Sequence, residues 1–118
     1  MRDLTSHAGL LAQQDPDVLE HFCRELLDPL VDQDAARGSA LLPTLTAFLA
    51  SGGRWAETAG ALHVHVNTLR HRLERVEMLT TRDLDDPDDR VDFYLALRAR
   101  GLIGTPARAV AGRRPRDR

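Results

Sequence analysis

Residues 54–80 read RWAETAGALHVHVNTLRHRLERVEMLT, and their spacing decides the fold. Trp55, Ala59 and Leu62 recur at the steps of one helix face and predict a short helix with these residues turned inward. At His63-Val64 the period lapses. It resumes with Leu69, Leu73 and Val76 on one side of a longer helix, while Asn67, Arg70, His71, Glu74 and Arg75 fall on the other. The small Ala59 stands where two helices joined by a short turn must cross closely. A short helix, a tight turn and a second helix with a polar first turn make the helix-turn-helix pattern, whose second helix enters the major groove of DNA. His63 occupies the turn, where such motifs often use glycine to reach a left-handed backbone.

Upstream, Asp15-Pro16 reads as a helix start, with the aspartate as N-cap and the proline at the first helical position. Leu19, Phe22, Cys23, Leu26, Leu27 and Leu30 follow as one apolar stripe, and Pro29 is expected to bend or end that helix. Residues 31–38 are polar and are expected to carry a short helical turn of their own before Gly38. Ser39 is the expected cap of a further helix carrying Leu41, Leu42, Leu45, Phe48 and Leu49, which Gly52-Gly53 stops. Downstream, Asp83–Asp92 holds six aspartates. Asp86-Pro87 opens a last helix whose first turn is acidic, as the helix dipole favours. That helix is apolar on more than one stripe, and Phe93 and Leu97 on its far edge suggest a surface for a second copy, a possible homodimer. Residues 1–15 read as a lead segment, 16–104 as the domain and 105–118, ending in RRPRDR, as a disordered tail.

The 118 residues suit one domain, and leucine, alanine and arginine dominate over β-branched and aromatic types, so the class is all-α. A formal charge of -2 gives no global sign of nucleic-acid binding. Locally the picture differs: residues 54–76 carry four arginines against two glutamates, while 82–92 carry six aspartates against two arginines. The single cysteine, Cys23, excludes an internal disulfide and lies on an apolar stripe, as an inert thiol would. No stretch has the length of a membrane span, and residues 1–14 lack the features of a secretory leader, so a cytoplasmic protein without membrane contact is expected. His63, His65 and His71 would not converge on a metal from a turn and a helix. No phosphate-binding loop, nucleophile elbow or dinucleotide fingerprint is present, so neither an enzyme nor a cofactor is expected.

Three stretches carry a resemblance: LLPTLTAFLASGG (41–53), TAGALHVHVNTLRHRLERVEMLT (58–80) and DLDDPDDRVDFYLAL (83–97). Over residues 10–103 the chain resembles the C-terminal helix-turn-helix domain of the PucR family of bacterial transcriptional regulators, which includes purine-catabolism and sugar-diacid regulators. The resemblance implies an all-helical domain with flanking N- and C-terminal helices around a helix-turn-helix at about 54–79, similar in local pattern to the DNA-binding end of the nucleoid protein Fis. It also implies a reader helix at about 65–79. Relatives carry this domain behind a sensory region, which is not visible here, so the chain is expected to be a fragment or a shortened regulator. Three positions depart from the family pattern. Arg54 stands where a capping asparagine is frequent, Thr81 where glycine is frequent, and Val66 where a basic residue is frequent.

The expected partner is double-stranded DNA. His65, Val66, Asn67, Thr68 and His71 are expected at base edges, with Asn67 pairing adenine, while Arg70, Arg72 and Arg75 grip phosphates. The alternative is a helical dimerisation or protein-interaction module without DNA affinity, built on the broad apolar surface of the last helix.

Overall fold

The computed structural model describes residues 15–103, and among these the chain forms five helices and no strand: α1 Pro16–Arg37, α2 Leu41–Ala50, α3 Trp55–Leu62, α4 Val66–Thr80 and α5 Pro87–Ala99. The lead segment up to Gln14 and the tail 105–118 lie outside the described residues.

Local chemistry sets the helix starts. The Asp15 carboxylate accepts from the Asp17 and Val18 amides at 2.8 and 3.4 Å, with Pro16 at the first helical position. Asp86 caps α5 in the same way, accepting from the Asp88 amide at 2.8 Å. The start of α2 departs from expectation. Ser39 does not cap it. The Asp34 carboxylate reaches over from α1 instead, one oxygen accepting from the Ser39 hydroxyl and the Leu41 amide, the other from the Leu42 amide at 2.9 Å. A carboxylate supplies both oxygens to the orphan amides where a serine offers one, and it answers the helix dipole with a charge. The Asp34 carbonyl meanwhile accepts from the Gly38 amide, so this residue joins the end of α1 to the start of α2.

Pro29 does not end α1, and residues 31–37 continue the same helix. The missing amide costs one backbone bond. Leu26, Leu27 and Leu30, at most 3% exposed, hold the flanking turns against the core and keep the helix continuous.

The uncharged helix α2, LLPTLTAFLA, is the hub and packs against each of the other four, as its apolar character requires. Around it α1 covers α4 and α5, and α3 lies on α4. The core unites Cys23 and the α1 leucines with Leu41, Leu45, Phe48, Ala59, Leu69, Leu73, Val76, Leu84, Phe93, Ala96 and Leu97. Cys23 is buried with its sulfur 3.7 Å from the Ala96 carbonyl.

Two expectations of burial change. Phe93 and Leu97 are fully buried inside the domain, since α1 packs on α5 and takes the place assigned to a second copy. Trp55 is 42% exposed; it meets Phe48 edge to face, with ring centroids 5.5 Å apart, and shows its remaining surface to solvent. In its stead Thr58 is fully buried and takes its polar partners inward.

Candidate nucleic-acid interface

The hairpin of α3 and α4 presents the candidate surface. Arg54 stands at the N-cap of α3 with no side-chain cap, as its departure from the family pattern implies. Two buried hydroxyls fasten this end. Thr58 donates to the Arg54 carbonyl at 2.6 Å, and the Ser51 and Thr58 oxygens lie 2.8 Å apart. Ser51 also accepts from the Arg54 amide at 3.2 Å. This pair, which ties α3 to the end of α2, was not foreseen. Its signal is the spacing 55, 58, 59, 62, which places Thr58 on the apolar face of α3.

The turn closes by two bonds: the His63 amide donates to the Gly60 carbonyl at 3.2 Å and the Val64 amide to the Ala59 carbonyl at 3.0 Å. This is the Schellman arrangement, which needs a left-handed residue, and His63 supplies it at φ 58°, ψ 44°. Val64 then packs against the core. The turn therefore forms without glycine.

His65 caps the next helix. Its Nδ1 accepts from the Asn67 amide at 2.9 Å, at the exposed start of α4. Inside, Leu69, Leu73 and Val76 are at most 3% exposed and fix which face of α4 looks outward. Outside, Asn67, Thr68, Arg70, His71, Glu74 and Arg75 are exposed. α4 ends at Thr81, left-handed at φ 54°.

The structure brings Asn67, Thr68, Arg70, His71 and Arg75 onto one exposed face with His65 at its head, while Val66 is half-buried. Arg70 donates to Asn67 Oδ1 at 2.8 Å. Arg72 leaves this group: half-buried, it reaches across to α2 and donates to the buried Thr44 hydroxyl at 3.3 Å. Ion pairs elsewhere occupy Arg24, Arg54, Arg82 and Arg100, whereas Arg70 and Arg75 have no carboxylate partner among the described residues.

The acidic segment is built differently. Arg82 pairs with Asp89 and Asp92, the Asp83 amide donates to Asp89, and the Leu84 amide donates to Glu77 at 2.7 Å. These bonds fold the α4–α5 connection over the buried Leu84. Among the described residues no three histidine, cysteine or carboxylate side chains gather as metal ligands, and no helix is long and apolar enough to cross a membrane.

A short helix, a tight left-handed turn and a second helix with its polar face outward define a helix-turn-helix domain. The chain belongs to the PucR C-terminal helix-turn-helix domain family, whose pattern matches residues 41–99, from α2 to the end of α5. It is 46% identical over 61 residues to the transcriptional activator PmfR of Paenarthrobacter nicotinovorans, covering 52% of this chain and 13% of that protein. It is 34% identical over 102 residues to the purine catabolism regulatory protein of Bacillus subtilis, covering 86% of this chain and 18% of that protein. An uncharacterized protein of Thermomonospora curvata is 37% identical over 97 residues, covering 75% of this chain and 53% of its own length. The chain thus spans about half of the last relative and less than a fifth of the two named regulators. No solved structure matches it.

Proposed function

We propose that this chain is a sequence-specific DNA-binding domain of a transcriptional regulator, with α4 as the helix that enters the major groove. The observation that carries the reading is the exposed face of α4. A helix anchored by Leu69, Leu73 and Val76 offers on one side Asn67, Thr68, His71 and two arginines that have no carboxylate partner among the described residues, with Glu74 beside them, in a domain whose acidic groups lie mainly elsewhere. Hydrogen-bond donors and cations at the start of a rigid helix suit base edges and phosphates. In this reading His65, Val66, Asn67, Thr68, Arg70 and His71 meet the groove, Arg75 meets backbone phosphate, and Arg72 uses its remaining N–H groups at the flank. The reading involves neither a catalytic step nor a cofactor and places the protein in the cytoplasm. Sensing of a signal is assigned to a region other than 15–103, by analogy with the longer regulators.

A homodimer completes the proposal, because two copies would set their reader helices one DNA turn, about 34 Å, apart. The surface for it shifts from Phe93 and Leu97 to the groove of Leu49, Val91 and Tyr94, where Val91 is 43% exposed. The direct test is selection from a random-sequence duplex library followed by affinity measurements on enriched and scrambled duplexes. Enrichment with tight, salt-sensitive binding supports the reading, and equal weak binding to all duplexes contradicts it. Sedimentation of the complex tests the dimer.

A further inference from the structure

We infer that Arg70 is the specificity-determining residue of the interface and reads guanine, and that Asn67 is a positioning residue for Arg70 rather than a reader of adenine. The inference deepens the DNA-binding reading above and rests on it.

The two side chains sit one turn apart on the exposed face of α4, and Arg70 donates from one terminal nitrogen to Asn67 Oδ1 at 2.8 Å. A guanidinium has donors only, so the contact settles the orientation of the asparagine amide, with its oxygen toward Arg70 and its nitrogen away. An asparagine pairs adenine by accepting with its oxygen and donating with its nitrogen at once. Here the oxygen is already engaged within the helix. The arginine, by contrast, commits only one of its five N–H groups among the described residues, and its other forked edge is available to a base. That edge matches the O6 and N7 acceptors of guanine in bidentate fashion.

Charge supports the assignment. Glu74 lies four residues from Arg70 on the same helix, yet no ion pair joins them among the described residues, whereas Arg24 pairs with Glu20 on α1 and Arg54, at the N-cap of α3, pairs with Glu57. A neutral amide orients Arg70 without cancelling its charge, which a carboxylate would do. Holding the long side chain in place before binding lowers the ordering cost at the interface. Arg75, three residues before Met78 on the same exposed surface, has no such holder among the described residues, as suits a phosphate contact that needs charge more than direction.

The test selects duplexes from a random-sequence library with the full 118-residue chain, then measures affinities for the enriched duplex and for its single base-pair replacements. The parent and the Arg70→Lys, Asn67→Asp and Asn67→Ala variants are compared, each checked for helicity. The expected result is one required G·C pair whose replacement by A·T weakens the parent about tenfold or more. Arg70→Lys reduces that penalty to about twofold or less, since an ammonium lacks the fork. Asn67→Asp weakens binding to all duplexes, because its carboxylate offsets the Arg70 charge, yet retains most of the penalty, since the carboxylate oxygen holds the guanidinium in the same direction. Asn67→Ala lowers the penalty severalfold. If Arg70→Lys weakens all duplexes alike, Arg70 is a phosphate contact and the inference falls. It falls equally if Asn67→Asp and Asn67→Ala both abolish preference for an A·T pair while the G·C penalty stands. Enrichment of no duplex overturns both this inference and the DNA-binding reading.

Discussion

Two joints of the scaffold and the turn inside the reader hairpin use one hydrogen-bond pattern with different residues. At the end of α2, Gly52 and Gly53 donate back to Leu49 and Phe48, and at the end of α5, Gly101 and Leu102 donate back to Arg98 and Leu97. Gly52 and Gly101 occupy the left-handed position at φ 75° and 74°. α3 closes by the same pair of bonds, but His63 stands there at φ 58°, and α4 ends on the β-branched Thr81 at φ 54°. A side chain in that region costs about 1 kcal/mol or more relative to glycine. The scaffold turns are therefore relaxed, while both turns that bracket α4 are held by the packing of their neighbours. Strained backbone flanks the candidate interface, and the relaxed joints lie in the frame behind it.

The largest expected effect breaks the relaxed side of this comparison. At Gly53, φ is 79° and an added Cβ would fall within the Arg90 guanidinium, which lies over the Phe48 ring and donates to the Leu84 carbonyl. Gly53→Ala is expected to lower stability by about 2–3 kcal/mol, from overpacking and the left-handed backbone together. Gly38→Ala, with open space around it, should cost only the backbone part, about 1 kcal/mol. Urea denaturation midpoints distinguish them, and equal losses would show that Arg90 yields freely.

Next comes the joint between α1 and α2. Asp34→Ala removes a carboxylate that accepts from two amides and a hydroxyl, and a loss of about 1–2 kcal/mol is expected. Asp34→Ser should recover little, because the cap reaches from another helix and a hydroxymethyl group is too short. A full recovery would show that Ser39 takes over.

On the strained side the sign reverses. Thr81→Gly and His63→Gly should each raise stability by about 0.5–1 kcal/mol in thermal or chemical unfolding, the gain from releasing the left-handed side chain exceeding the added freedom of the unfolded chain. A loss at either site would show that the side chain contributes contacts that outweigh its strain.

The sequence made the helices legible because their apolar periods are long and their starts chemically marked. Asp15-Pro16, Asp86-Pro87 and Gly52-Gly53 fall where the structure places them. The position of the turn at 63–64 was readable from the break in period, but histidine in the place where glycine is usual spoke against the left-handed conformation that the structure shows there. What escaped depends on how helices dock. Asp34 caps a helix that begins seven residues later, which requires the α1–α2 angle. Phe93 and Leu97 are covered by a helix some seventy residues upstream, as the Cys23–Ala96 contact marks, and no local period reveals that. Arg72 looked like an outward cation from its helical position, but it stands next to the buried Leu73 and finds Thr44 on α2. The Asn67–Arg70 bond, at a spacing of three, competes with an Arg70–Glu74 pair at a spacing of four, and since both spacings bring side chains together on a helix, spacing alone does not choose between them.

The central claim is that DNA meets the outer face of α4 and not the scaffold. Arg75→Glu and Arg24→Glu change the net charge identically, the first on α4 and the second on the exposed surface of α1. The decisive measurement is the affinity of both variants and the parent for one enriched duplex across a salt series. Arg75→Glu is expected to bind about tenfold or more weakly, with a salt slope shallower by about one, while Arg24→Glu stays within about twofold of the parent. Equal losses in the two variants, or no loss in Arg75→Glu, would contradict the assignment of α4 as the reader.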